Sequence, residues 1–315
     1  MIVVLHRQAN GLGAQHVATN QQIRELITKQ LISAMESGAL PWRCPWNRSR
    51  NAGRAANVAS RRTYTGVNPL ILGLHASKHG FQSRWYGTLR QWQSIGGRVQ
   101  RRPDHVRAGE WGCRIVFYRC VRRVRIKDGK ETVEEYWVLK TFTVFNADQV
   151  EGATRYQVVH EPTAELVSGD CESVDELILH AGVKVLVEGS AASYRPSNQT
   201  IYMPPKSAFN PPAAWNSTFL HELSHWGDQR LSTPTPDDSY AFGELVAELG
   251  STFLCQELNV PQAESLENHA AYLQHWLKHM RQDSAYIFKA SQRASAVADH
   301  VLSHIPARNE VQPVI

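Results

Sequence analysis

His221-Glu222-Leu223-Ser224-His225 is the segment of this chain best equipped for chemistry. Four residues of α-helix turn through about 400°, so His221 and His225 would stand one turn apart on one face. Two imidazoles so placed can hold one Zn²⁺, and Glu222 would lie beside a water at the ion that it can deprotonate. Ala213, Ala214, Trp215, Phe219, Leu220, Leu223 and Trp226 supply the apolar contacts of such a helix. Three other pairs, His75/His79, His275/His279 and His300/His304, repeat the spacing without Glu after the first histidine, and they read as surface or half-buried helix histidines. A third donor should come from a following element. Tyr240–Leu249 reads as an amphipathic helix with two acids four residues apart, Glu244 and Glu248. Leu245, Val246, Ala247, Leu249, Phe253 and Leu254 make that helix apolar around much of its circumference, and a buried Glu needs a partner. From the residues alone either acid could be the ligand.

An acid at this distance after HExxH, with a second polar residue one turn later, resembles the gluzincin group of metallopeptidases. The resemblance implies Glu244 as the metal ligand and Glu248 as the group that hydrogen-bonds a ligand histidine.

Charge is divided unevenly along the chain. Residues 1–152 hold 24 Lys+Arg against 10 Asp+Glu, residues 153–315 hold 10 against 19, and the balances of +14 and −9 give the net +5. Nineteen of the 24 cations are arginines, and six of the nine tryptophans (Trp42, Trp46, Trp85, Trp92, Trp111, Trp137) share that half. Arginine interleaved with aromatic rings suits single-stranded nucleic acid, because cations meet phosphates while unpaired bases stack on rings. No helix-turn-helix or zinc-finger pattern points to a duplex reader.

Composition sets the frame. A chain of 315 residues can form two domains with proper cores, and 42% apolar residues at mean hydropathy −0.38 describe a soluble protein. No apolar run approaches a membrane span, so no membrane partner is expected. Five cysteines (Cys44, Cys113, Cys120, Cys171, Cys255), with no CxxC, read as reduced thiols of a cytoplasmic protein.

Helical periodicity marks 21–37, 68–80 and 88–95; strand alternation marks 112–127 and 132–145, joined through Asp128-Gly129. A short helix over 174–180, strands over 183–188 and 199–203, and helices over 213–228, 240–258, 262–281 and 284–304 follow. Residues 47–62, rich in Arg, Asn and Ala, read as flexible. The fold class expected is α+β in two domains: a flexible arm (1–18), a mixed α/β basic ssDNA-binding domain (19–152), a linker (153–172) and a zincin-like metallopeptidase domain (173–315). In the zincin plan a cleft-lining edge strand pairs with bound peptide; Gln199–Met203, preceded by Ser193-Tyr194-Arg195, is the candidate, and it reads equally well as an ordinary hairpin arm.

Several blocks carry a wider resemblance. Ala39–Trp46 (ALPWRCPW), Tyr64–Asn68 (YTGVN), Trp85–Thr88 (WYGT) with Gln91, and Val144–Gly152 (VFNADQVEG) resemble the N-terminal ssDNA-binding domain of ArdC-type antirestriction proteins, which is similar to the front of plasmid TraC-type primases. Met203-Pro204-Pro205, Phe219–Trp226 and Tyr240–Leu249 resemble the zincin-like metallopeptidase domain that follows it. The family usually shows two consecutive acids where this chain has Gly243-Glu244, and a shorter loop where it has 47–62. The resemblance implies protection of incoming DNA from host restriction, carried on a mobile element. Candidate DNA contacts are Trp42, Arg43, Trp46, Tyr64, Asn68, Trp85, Tyr86 and Arg90. His221, His225 and Glu244 would hold Zn²⁺, with Mn²⁺ as a substitute, and Glu222 would be the catalytic base. Partners would be single-stranded DNA and a host restriction enzyme or other protein substrate. Two other readings stay open: a regulatory or repair metalloprotease that finds its targets on DNA, and a pure binding protein whose metal is structural.

Overall fold

The computed structural model describes residues 19–38, 40, 42, 49, 51–127, 130–158, 171–231, 239–262 and 269–305. The expected arm, most of the expected linker, and Arg43 and Trp46 lie outside the described residues. Helix α1 (Asn20–Glu36) opens at Thr19, whose hydroxyl accepts from the Gln22 N–H while the Gln22 side chain accepts from the Thr19 N–H. It buries Ile27, Leu31 and Met35, three of the apolar positions that give the segment its periodicity, and leaves Leu26 exposed.

Then come β1 (Ala56–Asn57), α2 (Asn68–His79), β2 (Trp85–Gly87), α3 (Leu89–Ser94), β3 (Arg98–Val99), β4 (Cys113–Lys127), β5 (Lys130–Asn146) and β6 (Val150–Glu151). A four-stranded sheet runs β1-β2-β5-β4, and β3 pairs with β6. β4 and β5 form the expected hairpin, in unbroken antiparallel register from Cys113↔Val144 to Lys127↔Lys130. The hairpin outruns its neighbour, since β2 pairs with β5 only at Phe145 and Asn146. Two asparagines close its open margins. Asn20 accepts from the Leu139 N–H and donates to the Trp137 carbonyl, and Asn68 does the same for both backbone groups of Val116, all at 2.8–2.9 Å.

The second half holds α4 (Glu172–Ala181), β7 (Lys184–Val187), β8 (Ser193–Arg195), β9 (Thr200–Met203), α5 (Ala214–Leu231), α6 (Tyr240–Leu258), α7 (His269–Gln282) and α8 (Tyr286–Leu302). Its sheet is ordered β7-β9-β8. The segment expected as the edge strand, β9, is therefore central: β7 pairs with it in parallel on one side, and β8 turns back antiparallel on the other. The edge is β8. Gln262, expected to open α7, lies outside a helix with its amide donating to Thr252 Oγ1 at 2.7 Å.

α5 packs closely against α6 and α8 because small residues sit at the crossings. A Cβ at Gly250 would stand 2.9 Å from Ser224 Oγ, and one at Gly227 would stand 3.0 Å from a Val301 methyl. One buried cluster runs through both halves, from Leu31, Trp42 and Leu70 to Phe219, Leu245, Trp276 and Val297. The seam is also polar. Thr28 Oγ1 donates to the Ser284 carbonyl at 2.9 Å, and Arg84 pairs with Glu257 at 3.2 Å. The expectation of flexibility over 47–62 fails from residue 51 onward. Arg54 there is 0% exposed, with Nη1 3.0 Å from Asp299 and its guanidinium 4.9 Å above the Phe253 ring. A buried cation anchored in the other half fixes the segment that carries it.

Gly250→Val should push α6 away from α5 and lower the free energy of unfolding by about 1–3 kcal/mol. Denaturant-induced unfolding measures this.

Candidate metal centre

α5 and α6 cross so that three side chains converge. The His221 and His225 rings lie 5.0 Å apart at 79°. Glu244 reaches across both: one carboxylate oxygen is 3.5 Å from His221 Nε2, the other 3.5 Å from His225 Nε2. One ligand atom from each of the three lies within 4.8 Å of the others, and no other described group of three or more His, Cys, Asp or Glu side chains is so gathered. Two imidazoles are borderline donors and a carboxylate is a hard one, a set that suits Zn²⁺ and accepts Mn²⁺.

Behind this triad sits Glu248, one turn after Glu244 and 5% exposed. Its Oε2 is 3.8 Å from His221 Nδ1, the ring nitrogen turned away from the triad. Its Oε1 accepts from the Trp42 indole N–H at 3.3 Å. A residue of the basic half therefore holds the carboxylate that stands behind His221 of the HExxH helix. Trp42 is 1% exposed and packs edge-on against Trp276, ring centres 6.3 Å apart. Glu222 is not one of the three converging donors; its Oε2 accepts from the Tyr194 backbone N–H of edge strand β8 at 2.7 Å.

Burial dominates the electrostatics. It pushes His225 down to about 4, helped by the neighbouring His221 imidazole. Burial opposes the charged form of His221 too, but the hydrogen bond to Glu244 and the charges of Glu222, Glu248 and Glu244 outweigh it and raise the pKa above 6.5. Burial also raises Glu222, against the favourable charge of His221 and the Tyr194 N–H. For Glu244 the two histidines overcome burial and hold the carboxyl below its ordinary value.

The candidate DNA contacts are not gathered in the same way. Trp42 and Tyr86 are each 1% exposed, and the Tyr86 hydroxyl donates to the Leu72 carbonyl at 3.2 Å. Neither ring face is open to a base, which corrects the expectation for both. Asn68 is likewise committed to the margin of β4. Tyr64 is half-buried, its hydroxyl accepting from Asn57 at 3.0 Å. Trp85 is half-buried and donates to Asn51 at 2.9 Å, with the Arg61 guanidinium 4.9 Å over its ring. Arg90 is exposed on α3. Among the described residues of the basic half, the rings that face solvent, Phe117, Tyr118, Tyr136, Trp137 and Phe142, all lie on the β4–β5 hairpin. Strand alternation could have found them, since it places residues two apart on one face. Trp42 as a partner of Glu248 had no signal in the sequence, because 206 residues separate the two.

Residues 172–293 match the family described as zincin-like metallopeptidase, and residues 21–145 match the N-terminal domain of anti-restriction factor ArdC. Fold and site thus define a two-part protein, an ArdC-type N-terminal domain joined to a zincin-like metallopeptidase domain. An uncharacterised protein of Sinorhizobium fredii, y4eC, is 33% identical over 308 residues, covering 93% of this chain and 96% of its own. The metal-free crystal structure of antirestriction ArdC from plasmid R388 is similar with a TM-score of 0.73 at 30% identity, over 90% of this chain and 97% of that one. The Mn(II)-bound structure of the same protein gives 0.67 at 29%. Escherichia coli DNA primase TraC is 27% identical over 311 residues, although the chain spans only 20% of that protein. The chain belongs to the ArdC antirestriction family. No helix among the described residues is long and apolar enough to cross a membrane.

In the metal-free protein the His225 ring should stay uncharged down to about pH 4, while His221 titrates above 6.5. Ring ¹H–¹⁵N correlation spectra across that range measure both, and a shared midpoint would contradict this electrostatic picture.

Proposed function

We propose that the protein shields incoming DNA from host restriction, binding it as a single strand through the basic half and carrying a divalent-metal peptidase centre in the other. The whole-length likeness to ArdC carries this reading. The charge division supports the first part, and the His221–His225–Glu244 convergence supports the second.

His221, His225 and Glu244 would hold the ion, and the Mn(II)-bound relative supports a divalent cation there. When bound, such an ion supplies Lewis acidity toward a carbonyl and an adjacent water. Glu222 would take a proton from a water as its oxygen adds to the scissile carbonyl carbon, and would pass that proton to the amine as the C–N bond breaks; burial raises its pKa toward working pH, where a general base is most effective. The Tyr194 N–H holds the carboxylate at the edge of β8, the one margin of the second sheet next to the HExxH helix. Glu248 stands behind His221, and Trp42 holds Glu248.

Four outcomes are expected. His221→Ala should lose Mn²⁺ binding in calorimetric titration. Glu222→Gln should keep the ion but lower any peptide hydrolysis by about 10²-fold or more. Trp42→Phe, which removes only the indole donor, should weaken ion affinity by about 10-fold. The wild-type protein should raise the survival of unmodified DNA entering a restricting host; survival unchanged by the protein would overturn the reading. Full protection by Glu222→Gln would assign protection to binding alone.

A further inference from the structure

The β4–β5 hairpin carries five of the six exposed aromatic side chains among the described residues, Tyr240 being the sixth. Opposite residues of an antiparallel pair share a face. The register therefore gathers Phe142 (opposite Ile115), Phe117 with Lys140, Arg119 with Val138, and Tyr136 (opposite Val121) on one face. Beyond Ile115, which is buried, this face opens to solvent: Phe117 is 58% exposed, and Tyr136 and Phe142 are 45% exposed. Arg119 and Lys140 are exposed too, and no hydrogen bond or ion pair to a described residue holds either. The face thus alternates ring and cation. It runs about 20 Å, six residue steps of about 3.4 Å, the length of several nucleotides.

On the opposite face Val116 and Leu139 are buried, and Tyr118 is bound by the Arg24 side chain of α1 at 3.1 Å. The Asn20 and Asn68 clamps at the margins keep the root of the hairpin in place. Its open face is therefore a supported platform on a basic arm. Residues 113–146 hold eight Lys+Arg against four Asp+Glu.

We infer that this face, with Phe117, Tyr136 and Phe142 as stacking rings and Arg119 and Lys140 as phosphate contacts, is where the protein binds single-stranded DNA. The inference rests on the single-strand reading above and moves the contacts away from Trp42 and Tyr86. Charge complementarity argues for this occupant: a protein partner would leave two cations to be matched by acids in an apolar contact, whereas a single strand offers a base and a phosphate at each repeat. Duplex DNA hides its bases from such rings.

The test is fluorescence anisotropy of a labelled oligothymidylate with full-length protein across a salt series. Phe117→Leu keeps the apolar volume but not the ring, and should weaken binding about 5-fold or more, as should Tyr136→Leu and Phe142→Leu. Arg119→Ala with Lys140→Ala should flatten the log–log salt slope by about 1.4, close to 0.7 for each lost phosphate contact. All variants should bind Mn²⁺ as wild type does, which shows them folded. Wild-type affinity and salt slope in the variants, with the wild type binding well, would overturn the hairpin assignment while leaving the function reading intact. No binding of the single strand by wild type would overturn both.

Discussion

A carboxylate removed from water must be held by partners, and Glu248 takes them from both halves of the chain. The Trp42 N–H reaches it from the basic half, and it faces His221 Nδ1 on the HExxH helix. The 3.8 Å Glu248–His221 Nδ1 approach is electrostatic and longer than a hydrogen bond, and it lies on the side of the ring opposite Nε2, which faces Glu244. By itself, one turn of helix brings two imidazoles near each other but does not aim them. The candidate metal centre thus sits against contacts of the seam between the two halves, through Glu248 and Trp42, as well as on the HELSH helix.

The seam explains why two chemically opposite halves pack as one body. Apolar burial runs continuously from α1 to α8, and Arg54 crosses it to reach Asp299 and Phe253. Excess arginine in the first half therefore divides into two uses. Some guanidiniums, such as Arg54 and Arg84, tie the halves together through acids of the second half. Others, such as Arg90 and Arg119, stay on the surface. Net charge alone does not distinguish these, and the aromatic residues divide the same way. Trp42, Tyr86 and Trp92 are core, while the rings of the hairpin are not.

Much of the fold was legible before the structure. Periodicity located α1, α2, the long hairpin and α8 to within a few residues, and α5 and α6 were found from longer apolar runs around the HExxH motif and the two acids. In the candidate centre, the nearness of His221 and His225 was legible through their spacing on one helix, whereas the choice of Glu244 over Glu248 came from the family resemblance and not from the residues alone. The legibility ended where information is non-local. Sheet order decides which strand is the edge, and nothing in Gln199–Met203 distinguishes a central from an outer strand. Burial of an individual tryptophan depends on what packs on it, so Trp42 and Tyr86 read as DNA contacts although the fold covers them. Arg54 read as part of a flexible polar stretch because its partners lie some 200–245 residues away.

Anomalous diffraction from Mn²⁺-soaked crystals of the full-length protein examines the central geometry most directly. A single strong peak is expected among His221 Nε2, His225 Nε2 and the Glu244 carboxylate, with Glu248 still bound to the Trp42 indole and off the ion. A peak elsewhere, or an ion held by Glu248 in place of Glu244, would contradict the arrangement derived from the seam.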